Sequence, residues 1–256
     1  MTIGVQTFTV RKEQKRDLAA AYRPLVDTGI RDVEIARIDF TEQNAQRVRT
    51  LGETLGIRPV SIQVKPKYVF GDVEGVSRFC QIAGCTRVVI SMLPFSCILG
   101  KEEAFYSFLS RLDEQYERYR ERGIVLAYHH HNWEYVTLSN GKTRMQELLE
   151  RTRSIRFVHD TYWTARSGVE PARQIAAFGD RLLGVHLRDL AFRKRLLDVV
   201  PHDAPLGDGV IDFGAVLDAV RASGCEYMVI EQNSADPYAD IAKSYRYITS
   251  SFADRL

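Results

Sequence analysis

The chain has 256 residues, of which 45% are hydrophobic and 27% are charged. These proportions are typical of a globular protein and exclude a disordered chain, a coiled coil and a collagen-like repeat. Lysine and arginine total 35 against 33 acidic residues, which gives a net charge of +2 and no electrostatic argument for binding nucleic acid or an anionic membrane. We therefore expect a single globular domain, residues 1–256, with a sizeable core and neither nucleic acid nor membrane as a partner.

The first residues run into a charged segment at 11–17, where a secretory signal would need an apolar region, and no apolar stretch approaches the length that spans a bilayer. The default expectation is a cytoplasmic protein. The four cysteines form no C-x-x-C pair, so we expect them to be reduced and mostly buried; they are Cys80, Cys85, Cys97 and Cys225.

Short β-rich runs alternate with longer segments of helical spacing, and each kind occurs eight times. The predicted strands, in chain order, are Thr2–Thr7, Asp32–Ala36, Arg58–Gln63, Arg87–Ser91, Ile124–His130, Ile155–Asp160, Leu183–Leu187 and Tyr227–Glu231. The predicted helices are Lys12–Thr28, Thr41–Leu55, Val73–Ala83, Lys101–Arg122, Thr143–Arg151, Glu170–Phe178, Asp212–Ala222 and Tyr238–Phe252. Glycines that suit a left-handed helix cap follow six of them: Gly29, Gly56, Gly84, Gly123, Gly179 and Gly224.

Strands that alternate with helices require right-handed parallel crossovers, and eight such units in about 250 residues match one fold in both count and length. The sequence therefore predicts an α/β protein built as a single (β/α)8 barrel, the TIM barrel. An open doubly wound sheet is the alternative, but it takes a glycine-rich phosphate turn after its first strand, and Val5–Phe8 has none. The irregular stretch Ala191–Asp208 is long for a connection, so we expect it to cover or line a site.

Residue types that bind metals and transfer protons follow the last four predicted strands. In a (β/α)8 barrel the active site lies at the carboxyl ends of the strands. Five of the six histidines lie in these strand ends, which are Tyr128–Glu134, His159–Trp163, Val185–Asp189 and Ile230–Asn233. Strand alternation brings Asp160, His186 and Glu231 to one rim and turns His130 toward the helices, where we expect a structural role.

Asp160, His186 and Glu231 predict a site for one divalent metal ion. Two carboxylates and an imidazole that converge would repel or lie unpaired unless a cation lay among them. Mixed nitrogen and oxygen ligands suit Mn²⁺, Zn²⁺ or Co²⁺. Strand five would supply a fourth ligand, either Glu134 or His129, and open positions would remain for substrate oxygens.

Other rim residues are candidates for substrate contacts. Three polar side chains follow the first three strands and either touch a substrate or fill the rim: Gln6, Glu34 and Lys65. Arg188 either binds a substrate hydroxyl or phosphate or pairs with Asp189. Trp163 is either a stacking wall for a sugar ring or an ordinary core aromatic.

Several of these segments together resemble the xylose-isomerase-like sugar isomerase and epimerase superfamily, a group of TIM barrels related to the apurinic-site endonucleases. The resemblance covers nearly the whole chain and rests on Gly4–Gln6, Gly29–Glu34, Tyr128–Tyr135, Asp160–Trp163, His186–Asp189, Pro205–Asp212 and Glu231. It implies one divalent metal held by a carboxylate after strand five, an aspartate after strand six, a histidine after strand seven and a glutamate after strand eight. The last three correspond here to Asp160, His186 and Glu231.

Strand five departs from part of that superfamily. Its ketose 3-epimerases carry a glutamate where this chain has His129, and the nearest carboxylate here is Glu134. The chain is more similar to a branch with the pattern Tyr-His-Asn-His-x-x-Glu-Phe, which includes sugar-phosphate isomerases, inositol-pathway enzymes and eliminases of ketoglycosides. Simple ketose epimerisation is therefore less favoured.

The resemblance implies a metal-dependent isomerase or epimerase of a sugar, sugar phosphate or keto-sugar, acting by proton abstraction next to a carbonyl through an enediolate. The base and acid would be Glu231 or Glu134 together with His129 or His131. The alternative is a metal-dependent lyase that eliminates from a 3-keto-glycoside or an inosose. The partner in either case is a small-molecule carbohydrate, and the sequence leaves open whether the chain forms a homo-oligomer.

Two further classes are less favoured. A phosphodiesterase of the apurinic-site endonuclease kind binds several zinc ions and needs ligands on the early strands, where this chain has Gln6 and Gln63 and no histidine before His129. A barrel without catalysis, serving as a subunit or binding module, is the other.

Overall fold

The computed structural model describes residues 3–195 and 198–256. The strands in these residues are β1 (Ile3–Gln6), β2 (Asp32–Ile35), β3 (Arg58–Val64), β4 (Arg87–Ile90), β5 (Val125–His129), β6 (Arg156–Asp160), β7 (Leu182–Leu187), β8 (Asp189–Arg195), β9 (Asp198–Ala204) and β10 (Tyr227–Ile230). The helices are α1 (Arg11–Arg16), α2 (Leu18–Asp27), α3 (Glu42–Leu55), α4 (Pro66–Gly71), α5 (Val73–Ala83), α6 (Phe95–Leu99), α7 (Glu102–Leu109), α8 (Leu112–Arg120), α9 (Arg144–Arg151), α10 (Thr161–Arg166), α11 (Pro171–Phe178), α12 (Phe213–Ser223) and α13 (Pro237–Ser251).

Strands β1 to β7 and β10 pair in parallel and close into a barrel, in which β10 lies between β7 and β1. The predicted (β/α)8 TIM barrel is confirmed, with the helices around the strands. The first predicted strand began at Thr2, which lies outside the described residues. All six glycines predicted as helix caps have a positive φ.

The interior of the barrel is apolar toward the amino ends of the strands and polar toward their carboxyl ends. A small cluster fills its lower part: Val89, Ala127, Val158, Leu183, Tyr227 and Val229. Gly184 makes room for the Tyr227 ring, because a Cβ at Gly184 would lie 2.4 Å from that ring. The Tyr227 hydroxyl then donates to Glu34 Oε2 at 3.0 Å, at the start of the polar layer near the carboxyl ends of the strands.

Two predicted helices each divide in two. Lys12–Thr28 is interrupted at Asp17, which is extended with φ −151° and whose carboxylate accepts a hydrogen bond from Ala20 N, so that α2 begins anew. Lys101–Arg122 likewise separates into α7 and α8. The apolar spacing continues through both breaks, which is why periodicity alone missed them. The short helices α4, α6 and α10 were also missed.

The predicted irregular stretch Ala191–Asp208 is wrong as a description of secondary structure. Most of it belongs to a two-stranded antiparallel sheet, β8 with β9, which leaves the barrel after β7. Leu190 lies opposite Asp203 and Phe192 opposite Pro201 in this sheet. The charged residues of the stretch hid its alternation.

Two further properties concern the whole described chain. All four cysteines are buried and free, as expected. Among the helices of residues 3–195 and 198–256, none has the length and apolar character needed to cross a lipid bilayer.

Candidate metal centre and active site

Four ligand-type side chains from neighbouring strands meet at the carboxyl end of the barrel. His129 ends β5, Asp160 ends β6, His186 lies in β7 and Glu231 follows β10. One donor atom from each of these buried residues lies within 4.8 Å of the others. They converge because the strands are adjacent and parallel and each of these residues points inward. In this group His129, rather than Glu134, is the member from β5.

His129 presents a free ring nitrogen to the group. Its Nδ1 lies 3.3 Å from the carbonyl oxygen of Ser91, and a proton on Nδ1 donated to that carbonyl leaves the lone pair on Nε2. Nε2 lies 3.6 Å from Asp160 Oδ2 and is buried without a hydrogen-bond partner. A buried polar atom of this kind is costly unless a ligand completes it.

His186 lies between two carboxylates. Its Nε2 is 2.7 Å from Glu34 Oε1, and its Nδ1 is 2.8 Å from Glu231 Oε2. Burial lowers the pKa of His186, but the two carboxylates outweigh burial and raise it to about 10. His186 is therefore an imidazolium when no metal is bound.

Glu34, a candidate for a substrate contact, is not among the residues that line the cavity beside the group. It is fully buried and accepts hydrogen bonds from Ser61 Oγ at 2.5 Å and Tyr227 OH at 3.0 Å, besides its contact with His186. Burial raises the pKa of Glu34, but His186 and Ser61 lower it by more than burial raises it, so the pKa lies below its ordinary value. Glu34 thus orients His186 from beneath, as carboxylates commonly do for metal-binding histidines.

Arg188 is a buried cation beside the group. Its guanidinium pairs with Asp160 Oδ2 at 3.2 Å, Asp203 Oδ1 at 2.8 Å and Glu231 Oε1 at 3.6 Å, and it lies 5.3 Å from the centre of the Trp163 ring. Burial opposes ionisation of Asp160, but Arg188 and His129 hold its pKa well below the ordinary value. Arg188 therefore keeps two carboxylates of the group ionised and in place.

Asp189 is not the partner of Arg188. Its carboxylate accepts hydrogen bonds from four backbone N–H groups, at 2.8 to 3.2 Å, and these belong to Leu190, Gly207, Gly209 and Ile211. A Cβ at Gly209 would lie 2.2 Å from Asp189 Oδ1, so only glycine allows this approach. Asp189 therefore fixes the loop that follows β9.

Glu134, the other candidate for the fourth ligand and a predicted catalytic base, lies outside the group. The 3₁₀ turn Asn132–Tyr135 brings the chain back, and the buried Glu134 carboxylate accepts hydrogen bonds from the Tyr128 hydroxyl and from His131 N, the latter at 2.8 Å. Burial raises its pKa. Its oxygens are satisfied on the helix side of β5, away from the inward side chains.

Two members of the group, His129 and Glu231, line a cavity of about 340 Å³ at the carboxyl end of the barrel. Predicted site residues that line it are Gln6, Lys65, His129, His131, Trp163, Arg188 and Glu231. The buried Gln6 accepts a hydrogen bond from Phe8 N, and Lys65 is exposed at the mouth. His131 lies near both tryptophans, with ring centres 5.4 Å from Trp133 and 5.3 Å from Trp163.

Sequence reasoning missed several residues that shape the site. Asp203, on β9, binds Arg188 and also accepts a hydrogen bond from Asn233 Nδ2 at 3.1 Å. Its signal was present, because it lies in the long stretch that was expected to line a site. Arg37 and Tyr68 also line the cavity, and no pattern pointed to either.

The residues of the group fit a divalent cation. Three carboxylates of the site have a lowered pKa and are therefore ionised, which gives three negative charges in total: Glu34, Asp160 and Glu231. Two cations, Arg188 and His186, carry one positive charge each. Asp203, which also pairs with Arg188, adds to the negative side, so a divalent ion in place of the His186 proton would offset the excess of negative charge. Two imidazole nitrogens with two carboxylates suit Mn²⁺, Zn²⁺ or Co²⁺.

Comparison with known proteins agrees with this architecture. The chain is 27% identical over 152 residues to an inosose dehydratase of Lacticaseibacillus casei, an alignment that covers 50% of this chain and 49% of that protein. It thus spans about half the length of the curated relatives it matches.

Two solved structures share the fold. A sugar phosphate isomerase/epimerase of Parabacteroides distasonis superposes with a TM-score of 0.80 at 17% identity, covering 98% of this chain and 94% of that one. An IOLI protein with a bound zinc atom gives 0.72 at 16% identity, covering 100% and 99%. A family model described as a xylose isomerase-like TIM barrel matches residues 23–250. The chain belongs to the xylose isomerase-like TIM barrel family.

Proposed function

We propose that the protein is a divalent-metal-dependent sugar isomerase or epimerase that abstracts a proton next to a substrate carbonyl. One observation carries the proposal: His129, Asp160, His186 and Glu231 bring two imidazoles and two carboxylates within 4.8 Å of one another, and two of them, His129 and Glu231, line a cavity. In a barrel without a catalytic or binding role, we would expect apolar side chains at these inward positions, as in the rest of the barrel interior. The relatives that are enzymes of sugars and related polyols support the same chemistry.

The metal would be held by His129 Nε2, His186 Nδ1 and the carboxylates of Asp160 and Glu231. Bound there, a divalent ion supplies Lewis-acid stabilisation of the negative charge that develops on a substrate oxygen. Ser91 and Glu34 fix the two imidazole rings from their far sides, which preorganises both nitrogens. Arg188 holds Asp160 and Glu231 from the third side.

Proton transfer falls to Glu231 and His131, which both face the cavity. The pKa of Glu231 is held low by Arg188 and His186 against burial, so its carboxylate is ionised and accepts a proton. Burial and His129 lower the pKa of His131, so its imidazole is neutral at pH 7 and offers a ring nitrogen as a proton acceptor. Delivery of a proton to the opposite face of the same carbon gives an epimer, and delivery to the neighbouring carbon gives an isomer.

The substrate would lie against Trp163, whose ring closes one side of the cavity next to His131. The indole Nε1 is buried without a hydrogen-bond partner, so it is available to a substrate hydroxyl. Gln6 and Lys65 supply further polar contacts, at the floor and at the mouth. Apolar ring faces with a few polar groups are the usual lining of a sugar site.

A lyase that removes water from an inosose or keto-sugar is the second candidate. The 27% identity to an inosose dehydratase favours it. The first step is the same abstraction of a proton next to a carbonyl, and the difference is loss of the neighbouring hydroxyl in place of reprotonation.

The test is metal analysis of the purified protein followed by incubation with ketoses and inososes in heavy water. We expect one divalent ion per chain and deuterium incorporation beside the carbonyl, with an epimer, isomer or dehydrated product identifying the outcome. Asp160→Asn is the matched inactive variant, because Asn retains an oxygen that accepts from Trp163 N. Three zinc ions with cleavage of abasic DNA, or full sugar conversion by Asp160→Asn, would contradict the proposal.

A further inference from the structure

A second cavity, the basic groove, lies between α1–α2 and α3 and has a volume of about 1260 Å³. Two acidic side chains, Asp17 and Asp39, line it, against five cationic ones: Arg11, Lys15, Arg16, Arg37 and Arg47. The whole chain is nearly balanced, with 35 cationic and 33 acidic residues. The groove is therefore a local concentration of positive charge.

In residues 3–195 and 198–256, none of these five cations forms an ion pair. Arg11 and Arg37 both lie on the Phe8 ring, with guanidinium carbons 3.9 and 5.0 Å from its centre. Two like charges held beside one ring repel each other, and an anion between them would relieve that repulsion.

The backbone of Arg37 is held in an unusual conformation. Its φ is 58°, the one positive value at a non-glycine position in the described part of the chain. Gln14 Nε2 donates to Ala36 O at 2.8 Å and to Arg37 O at 3.4 Å, and the Thr7 hydroxyl accepts from Ala36 N at 2.8 Å. Surrounding hydrogen bonds thus keep a strained residue at the edge of the catalytic cavity.

The basic groove and the catalytic cavity are continuous. Phe8, Arg37, Ile38 and Asp39 line both. The catalytic cavity, at about 340 Å³, is near the lower limit for a small-molecule site and suits a single sugar. A substituent on that sugar would extend past Arg37 into the groove.

We propose that the substrate carries an oxyanion group, a phosphate ester or a carboxylate, which Arg11 and Arg37 bind in the basic groove while the carbonyl end of the sugar lies in the catalytic cavity. This rests on the function proposed above and narrows its substrate class. Both arginines offer planar forks of N–H donors that match an oxyanion. The continuity of the groove with the catalytic cavity and the mild total charge favour a small anion over a nucleic acid.

The first test compares D-fructose, D-fructose 6-phosphate and D-fructuronate in the heavy-water exchange assay with metal-loaded protein. We expect a higher kcat/KM for a charged sugar than for fructose. Comparison of fructose 6-phosphate with fructuronate then shows whether the oxyanion group of the substrate is a phosphate ester or a carboxylate. In Arg11→Gln or Arg37→Asn, the preference for the charged sugar falls about tenfold, mainly through KM, because each variant removes a charge-assisted hydrogen bond. Asn suits position 37 because it tolerates a positive φ.

Lys12→Gln and Arg49→Gln are the matched controls. Each removes one positive charge from the same helix as Arg11 or Arg47, but neither residue lines the basic groove. Both controls should retain the preference. Equal kcat/KM values for neutral and charged sugars in the unaltered protein, or equal losses in the controls, would overturn the proposal.

The second test does not depend on turnover and follows inorganic phosphate binding by ³¹P NMR. We expect about tenfold weaker binding in Arg11→Gln and Arg37→Asn than in the controls. The same affinity in all variants would overturn the anion site. Arginine-dependent phosphate binding without exchange in any sugar would support the site and reject the sugar chemistry. Tighter binding of a DNA duplex, with a steep salt dependence, would overturn the small-anion assignment.

Discussion

Adjacent residues at the carboxyl ends of β5 and β6 have opposite environments. His129 and Asp160 face into the barrel, where they meet His186, Glu231 and Arg188. His130 and His159 face the helices, where their rings lie 3.1 Å apart at the nearest nitrogens and pack near Phe178. Strand alternation alone separates the two sets.

The outward pair is neutral and structural. His130 Nε2 accepts from Asp160 N at 3.1 Å and lies 3.1 Å from His159 Nδ1, while its Nδ1 lies 3.3 Å from the carbonyl of His131. This network is consistent with a proton on Nδ1 of each ring. Burial lowers the pKa of His130 to about 3 and that of His159 well below the ordinary value. Inward, carboxylates instead raise the pKa of His186 to about 10. Neighbouring charge, and not residue type, decides whether these histidines are ionised.

The largest expected effect is at Asp160. Asp160→Asn removes a charge from the inward group but keeps the acceptor for Trp163 N. We expect loss of bound metal and a fall in kcat of about 10³ or more, since a metal ion provides several kcal/mol of charge stabilisation. Metal content and turnover measure it, and an unchanged metal content would show that the inward group is not the metal site.

The next largest effects are expected when histidine is replaced by leucine at two adjacent positions, His129 and His130. The first replacement should mainly weaken metal binding, and the second should mainly lower stability. His129→Leu should reduce metal affinity by more than about 100-fold and lower the stability of the metal-free protein by about 1 kcal/mol or less, because Nε2 has no partner to lose and only the long Nδ1 contact with Ser91 O disappears. His130→Leu should lower the free energy of unfolding by about 2 kcal/mol and leave metal stoichiometry unchanged, because Asp160 N loses its acceptor.

Metal titration and urea unfolding of both variants check this pair of expectations. Metal loss in His130→Leu together with normal metal binding in His129→Leu would reverse the comparison between the two faces of β5.

A smaller effect is expected at Glu34, which contacts His186 without lining the cavity. Glu34→Gln should weaken metal binding by about 10- to 100-fold, the usual range for a residue that orients a ligand. Competition with a fluorescent chelator measures the affinity. Ser61→Ala is the milder control, since it removes only one of the hydrogen bonds to Glu34; an effect larger than that of Glu34→Gln would contradict the assigned role.

The smallest expected effect is a pH dependence of stability from the outward pair. The pKa values of both histidines are lower in the folded state than their ordinary value of 6.5, so the unfolded chain binds more protons as pH falls. Their stabilising contribution is complete above pH 6.5 and is lost as pH falls toward the folded-state pKa.

His159→Leu isolates one of the two protons. Between pH 6 and 5 the free energy of unfolding should fall with pH in both proteins. The slope should be smaller in His159→Leu than in the unaltered protein, and the difference between the two slopes should be about 1.4 kcal/mol per pH unit. Urea unfolding of both proteins at pH 7, 6 and 5 provides the comparison. Parallel curves would mean that His159 is protonated in the folded state.

The sequence predicted the inward group well where strand alternation applied and poorly where the chain turned back. Asp160, His186 and Glu231 followed from their positions at strand ends. The choice between Glu134 and His129 did not, because the 3₁₀ turn Asn132–Tyr135 reverses the chain and returns Glu134 to Tyr128. A hydrogen bond that closes such a turn has no signature in residue spacing.

Contacts across the barrel were equally out of reach. Glu34 meets His186 from the opposite side, and Asp203 reaches Arg188 from a hairpin that looked irregular. Both pairings depend on closure of the sheet and on the path of a long connection, neither of which is local. The basic groove was hidden for the same reason, because its cations come from three separate segments in a chain of balanced charge.

By itself, the sequence determined the eightfold alternation of strand and helix, and hence the barrel, its polar end and the inward direction of His129 and outward direction of His130, because those depend on short-range periodicity. Tertiary structure alone decided which donors come within reach of one cation, which carboxylates orient them and which imidazoles are charged. Those properties are sums over neighbours far apart in the chain, and they exist only once the barrel has closed.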